Sequence, residues 1–199
     1  MALVRELRLG PMTPEEYLEF EAQSDIRHEY VDGYVYAFAG GTWNHNDVLN
    51  NLFLAIEPVA RAMGCRTATG NIRLRVSSRI YYYPDLMVVC ERERGTDIQS
   101  TRPTLVAEVL SHSTAAVDQR EKLMAYRQIE SLETYLIVHQ DEPHVERHWR
   151  DDNGAWQAGV VAGNGEILIS ALDLSVPLRE IYAGVEFPPV EADDSFPTM

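Results

Sequence analysis

Three side chains in the middle of this 199-residue sequence have the types and spacing for phosphoryl chemistry. Asp85 opens the apolar run of "YYYPDLMVVC" (81–90), directly after Pro84. Glu108 sits inside a second such run, "PTLVAEVLSHST", among Leu105, Val106, Val109 and Leu110. An ionised acid in a dry core is costly unless it is protonated, paired with a cation, hydrogen-bonded or bound to a metal. If the two runs pair as strands, Asp85 and Glu108 become neighbours and repel. A divalent cation such as Mg²⁺, which takes one or two carboxylates plus waters, resolves that repulsion. Downstream, Asp118, Lys122 and Tyr126 recur every four residues, one stripe of a helix, which lets Lys122 face the strand end carrying Glu108. An ammonium there can orient an attacking water or stabilise developing phosphoryl charge, as metal-assisted phosphodiester hydrolysis requires.

Each of these residues also has an ordinary reading. Acids are common in the turns that bound strands, and a strand acid can be salt-bridged. Lys122 can make a surface ion pair with Asp118 worth a few tenths of a kcal/mol. His45, near the start of a helix, is within reach of a scissile phosphate in one reading and a capping or packing residue in the other. His144, Glu146 and His148 share a strand face, which their hairpin setting marks as solvated rather than metal-binding. Tyr81–Tyr83 reads as strand packing before it reads as a base-stacking platform.

The elements that must position these groups are written locally. "TPEEYLEFEA" (13–22) has Thr13 to cap, Pro14 for the first turn and Glu16 to complete a capping box. "RHEYVDGYVYAFAG" places two β-rich runs around Asp32-Gly33, a tight-hairpin dipeptide. Residues 44–63 put Val48, Leu52, Ile56 and Val59 on a helical stripe, with Gly64 as the stop and Pro58 as a point of kinking or shortening. Strands are expected at 65–69, 72–76, 84–90 and 104–110, the last two apolar enough to be covered on both faces at the centre of a sheet. "ERERGTDIQSTRP" reads as a surface loop, 115–129 as an amphipathic helix, "ETYLIVHQ" as a strand, and "PHVERHWR" and "AWQAGVVA" as a hairpin about "DDNG". The fold class is α/β, with a mixed central sheet flanked by helices.

Length fits one domain, over 1–187, with the Pro-rich acidic tail 188–199 expected to be disordered. "MALVRELRLGPM" is too short and too charged for a signal segment, and no run approaches membrane-spanning length, so a cytoplasmic protein with no membrane partner is expected. Cys65 and Cys90 lack the spacing of a disulfide framework or zinc site and read as free buried thiols. The formal charge is −14, and still −10 before Glu186. That argues against a general nucleic-acid binder and makes any phosphate-binding surface local.

Six segments, "HEYVDG", "WNHNDVLNNL", "YYYPDLMVV", "LVAEVLSHST", "DQREKLMAYRQI" and "YLIVHQDEPHVERHWR", in this order and spacing, resemble the Uma-two family of the PD-(D/E)xK nuclease superfamily, from about residue 13 to about 185. The resemblance implies a restriction-endonuclease-like fold and a Mg²⁺-dependent endonuclease (Mn²⁺ as a substitute) acting on DNA. It implies Asp85 and Glu108 as metal ligands, the carbonyl of Val109 as a third, Lys122 as the catalytic lysine and Glu29 as an additional acid near the metal. Two departures stand out. Leu110 occupies the position two after Glu108, where the superfamily's lysine normally sits, so a helix lysine at Lys122 substitutes; and His112 replaces a common proline. Two other functions stay open: a catalytically inactive interaction module with this fold, and a metal-dependent hydrolase of small phosphoesters, which the negative charge suits better. A homodimer is expected, by analogy with paired endonucleases and from the apolar segment "LDLSVPLREIYAGVEF", whose alternative use is packing within its own domain.

Overall fold

The Thr13 capping box starts the first helix as its sequence requires. Thr13 Oγ1 accepts the Glu16 N–H at 3.2 Å and Glu16 Oε2 accepts the Thr13 N–H at 2.7 Å. The computed structural model describes residues 8–37, 41–110 and 115–187. His112 and the tail 188–199 lie outside the described residues. In chain order the elements begin with β1 (Arg8–Leu9), α1 (Pro14–Gln23), β2 (His28–Val31), β3 (Tyr34–Ala37) and α2 (Trp43–Ala62). They continue with β4 (Arg66–Ala68), β5 (Arg73–Ser77), β6 (Ile80–Tyr82), β7 (Leu86–Val89), β8 (Gln99–Ser100), β9 (Leu105–Leu110) and α3 (Ala115–Tyr126). The chain then forms β10 (Thr134–His139), β11 (His144–Arg150), β12 (Trp156–Ala162), β13 (Glu166–Ile169), β14 (Leu174–Pro177) and α4 (Leu178–Ile181).

Two six-stranded sheets result, in the orders β1-β3-β2-β6-β5-β8 and β12-β11-β10-β9-β7-β4, with β13-β14 as a separate pair. The second is the mixed sheet expected: β10 runs parallel to β9 and antiparallel to β11, while β7 runs antiparallel to β9. The first sheet was not anticipated as a separate layer. Its hairpin was: Asp32 and Gly33 take φ of 48° and 99°, the left-handed values a two-residue turn demands. Its outer strand β8 falls within the stretch read as a surface loop, and Ser100 there is buried.

The mixed sheet is covered on both faces, which is why β7 and β9 read as continuous apolar runs. On one face Val48, Leu52, Ile56 and Ala60 of α2 pack against Leu86, Val88, Leu105, Ala107, Val109, Leu136 and Val138. Ala60 completes the buried α2 stripe, with Val59 partly buried against the same core, and the helix runs through Pro58 to Ala62 before Gly64, at φ 80°, stops it. On the other face Met87, Val89, Val106, Tyr135 and Ile137 pack with Ala125 and Tyr126 of α3, which ends at Tyr126. Tyr81, Tyr82 and Tyr83 are all buried, as strand packing requires.

Leu172, Val176, Leu178, Ile181 and Tyr182 join the α2-side core. The apolar segment near the C-terminus is therefore consumed within the domain and gives no support to a dimer interface. No helix among the described residues is long and apolar enough to cross a membrane.

The expectation of free thiols is overturned: Cys65 and Cys90 form a disulfide. The reason is register, not sequence spacing. Arg66 pairs with Val89 across β4 and β7, so the next residues outward are brought face to face. Disulfides are rare in the reducing cytosol, so this pair sits poorly with the cytoplasmic residence expected above. The bond closes a loop of sequence separation 25, and loop-closure entropy gives it a stabilisation of about 3 kcal/mol. Reduction is expected to lower the melting temperature by about 10 °C; matched melts with and without dithiothreitol check this, and superimposable curves would refute it.

Candidate active site

The β7–β9 ladder answers why an acid opens a buried strand. Leu86 pairs with Ala107, so continuing the ladder would set Pro84 opposite Val109. The Pro84 carbonyl instead accepts the Gly70 N–H at 3.1 Å. The Val109 N–H, left over, donates to Asp85 Oδ2 at 2.8 Å. The carboxylate thus caps a strand edge that would otherwise hold an unsatisfied amide.

Glu108 lies on the α3 face of β9, the side opposite Ala107 and Val109 by strand alternation. Its Oε1 accepts from Tyr126 Oη at 2.7 Å and Lys122 Nζ at 3.1 Å. Lys122 also reaches Glu29 Oε1, on β2 of the other sheet, at 2.9 Å. The three elements that converge are therefore β9, α3 and β2. The four-residue spacing of Lys122 and Tyr126 puts both on the one carboxylate, as the stripe implied.

All four charged groups are buried: Glu29 and Glu108 are 3% exposed, Lys122 4% and Asp85 7%. Lys122 is therefore not on the surface, where the ordinary reading would have put it. Burial pushes the Glu108 carboxyl up to about 7; Lys122 opposes the shift, while Asp85 and Glu29 add to it. The Tyr126 hydroxyl is likewise raised, by burial first and then by Glu108, so it stays a proton donor to the carboxylate. Lys122 sits 5.2 Å from the Tyr82 ring centroid, and the Tyr82 hydroxyl donates to Glu121 at 3.2 Å.

The centre holds three acids and one lysine. Such an excess of buried negative charge favours either proton uptake or a cation, and the donor chemistry, hard carboxylate oxygens with a strand-edge carbonyl nearby, fits Mg²⁺. Asp85 and Glu108 would be the acid ligands of such an ion, while Glu29 is turned onto Lys122.

The structure also brings His45, weighed above as a capping or packing residue, onto this centre. Thr42 caps α2 by accepting the His45 N–H at 3.1 Å, and this first turn presents His45 Nε2 to Asp85 Oδ2 at 3.2 Å. Burial alone would lower its pKa, but the hydrogen bond to Asp85 and the fields of Asp85 and Glu108 raise it instead. The available signal was the cap: a helix start fixed by Thr42 aims the histidine three residues on. The solvated-face reading of His144, Glu146 and His148 also fails in part. His148 is 6% exposed and stacks on Tyr135 at 6.0 Å.

Residues 14–179, which include every residue of this centre, match the Uma2 family model, described as "Putative restriction endonuclease". An uncharacterized protein of Synechocystis sp. (slr1290) is 30% identical over 178 residues, covering 88% of this chain and 94% of its own. A second uncharacterized Synechocystis protein (sll1609) is 32% identical over 168 residues, covering 82% of this chain and 95% of its own. The crystal structure of a "putative nuclease belonging to DUF820" from Anabaena variabilis superposes with a TM-score of 0.71 at 15% identity, over 86% of this chain and 98% of that one. The fold is restriction-endonuclease-like.

Proposed function

The chain belongs to the Uma2 family, and from that premise we propose that it is a Mg²⁺-dependent endonuclease that hydrolyses DNA phosphodiester bonds. The observation that carries the reading is the buried set Asp85, Glu108 and Lys122, with Glu29 holding the far side of the lysine.

Asp85, Glu108 and the Val109 carbonyl would hold the ion. A strand residue's N–H and C=O leave the chain toward the same neighbour, and Val109 turns its N–H to Asp85. Bound there, Mg²⁺ supplies Lewis-acid polarisation of the scissile phosphate.

The chain's own groups supply the rest. Tyr126 fixes one Glu108 oxygen and leaves the other for ligation. Lys122, held between Glu29 and Glu108, stabilises charge that develops on the phosphoryl oxygens and orients the attacking water. His45 keeps Asp85 in place through Nε2 and, with its side chain 23% exposed, can give a proton to the departing oxygen.

A plasmid-nicking assay tests the reading. Conversion of supercoiled to open-circular or linear DNA is expected with Mg²⁺ or Mn²⁺ and none with EDTA. Turnover of nucleotide phosphoesters without DNA cleavage would move the substrate to small phosphoesters. Silence on both would leave an inactive module. The −14 charge implies weak, strongly salt-sensitive DNA binding. If nicking occurs, a linear product whose rate of formation rises more steeply than in proportion to protein concentration would support the homodimer, and light scattering at 22.6 kDa would rule it out.

A further inference from the structure

We propose that His139, His144 and Glu146 form a second cation site, separate from the carboxylate centre, that takes a borderline first-row divalent ion such as Zn²⁺. One donor atom from each residue lies within 4.8 Å of the others, the one cluster of three such side chains among the described residues. Two imidazoles and a carboxylate are a Zn²⁺ set that leaves a coordination position open, whereas Mg²⁺ prefers oxygen alone. The proposal does not depend on nuclease activity.

The backbone holds the two histidines ready. His139 ends β10 and His144 begins β11, across a four-residue connection. The Tyr182 hydroxyl clamps them from below: it lies 2.8 Å from the His139 carbonyl and 3.0 Å from the His144 carbonyl, and accepts the His144 N–H at 3.3 Å. The two rings stand edge to face with centroids 4.5 Å apart. His139 Nε2 is 3.6 Å from Glu146 Oε1, and its Nδ1 is 3.9 Å from Glu142 Oε1. A carboxylate on the far nitrogen is the usual outer partner of a metal-bound histidine. Zinc bonds of about 2.0–2.2 Å need donors roughly 3.3 Å apart, so the half-buried side chains must close by up to about 1.5 Å, which is within the reach of side-chain rotation at Glu146 and His144.

A second observation also points to this spot. His148 is buried, its Nδ1 meets Arg127 Nη2 at 3.2 Å, and its Nε2 has no hydrogen-bond partner among the described residues. That nitrogen is aimed at Glu146 Oε2, 4.0 Å away. A buried nitrogen left without a partner beside the cluster's carboxylate marks an unfilled polar position there.

The site is not the second ion of a two-metal centre. Ile137 pairs with Glu108 on one side and Glu146 on the other, so both acids leave the same sheet face two strands apart. Adjacent strands are about 4.8 Å apart, which sets the two carboxylates' backbones roughly 10 Å from each other, against the 3.5–4 Å or so of paired catalytic metals.

The test titrates the full chain with Zn²⁺ against a chromophoric chelator, and with Co²⁺ as a visible-absorbing surrogate. Wild type is expected to bind Zn²⁺ saturably and to show the intense visible bands of imidazole-ligated Co²⁺. His144→Gln and Glu146→Gln, both at half-buried positions, are each expected to weaken Zn²⁺ binding at least about tenfold and lose those bands, with unchanged far-UV circular dichroism. Asp85→Asn is expected to keep them. No saturable binding by wild type, undiminished binding in both cluster variants, or loss of the bands in Asp85→Asn would each overturn the site.

Discussion

Asp85→Asn is expected to lower Mg²⁺-dependent DNA cleavage by about 10³-fold while leaving the fold intact. The substitution separates the two roles of this side chain. An amide oxygen can still accept the Val109 N–H that Asp85 Oδ2 takes at 2.8 Å, so the strand edge stays capped. What disappears is the charge, and with it the ligand field for a hard cation. His45 loses its ion-pair partner at 3.2 Å as well. Stability should hold or rise slightly in EDTA, because Asp85 is one of the charges that push the Glu108 carboxyl up. Nicking rates across a Mg²⁺ series, with melts of the metal-free protein, provide the measurement. Cleavage within about tenfold of wild type would remove Asp85 from the metal site, and with it the proposed mechanism.

How much of this was legible in the sequence depends on the range of the signal. Thr13, Pro14 and Glu16 act within one turn, and Asp32-Gly33 within two residues, so α1 and the β2–β3 hairpin could be read directly. Asp85 and Glu108 were legible because each acid interrupts a run that is otherwise apolar, and the strands bearing them happen to pair. Long-range register was not. Nothing local to Cys65 or Cys90 says that β4 lies along β7, which is what joins them. Likewise β6 was missed, although the polar turn residues Ser78 and Arg79 set it off from β5, because its tyrosines run straight on into Tyr83 and Pro84. Lys122 shows both limits at once: its helix stripe predicted an approach to Glu108, but its near-complete burial depends on β2 arriving from a sheet the sequence did not announce.

That burial makes Lys122→Met the most destabilising change expected in the centre, by about 3–5 kcal/mol at pH 8 in metal-free protein. Methionine matches the stem in volume and apolar character, so packing is largely kept. What is lost is the cation that bridges Glu29 and Glu108, at 2.9 and 3.1 Å. Two buried carboxylates then face each other across the vacated ammonium. The cost must depend on pH, with a definite sign. Glu108 already has its pKa raised from 4.5 to about 7 by burial, against the pull of Lys122. A carboxyl whose folded pKa lies above its unfolded value binds its proton more tightly when folded. It contributes stability below about pH 4.5 that is lost as pH climbs through 7. Removing Lys122 raises that pKa further, so the penalty should shrink at pH 5.5, where Glu108 is protonated, and be full at pH 8. Glu108→Gln should flatten the same profile, and in the double variant recover a good part of the loss at pH 8. Urea denaturation of the wild type, both single variants and the double at the two pH values, all in EDTA, supplies the comparison. A Lys122→Met penalty that is equal at pH 5.5 and pH 8, or untouched by Glu108→Gln, would mean that the lysine holds the site through packing and not through charge.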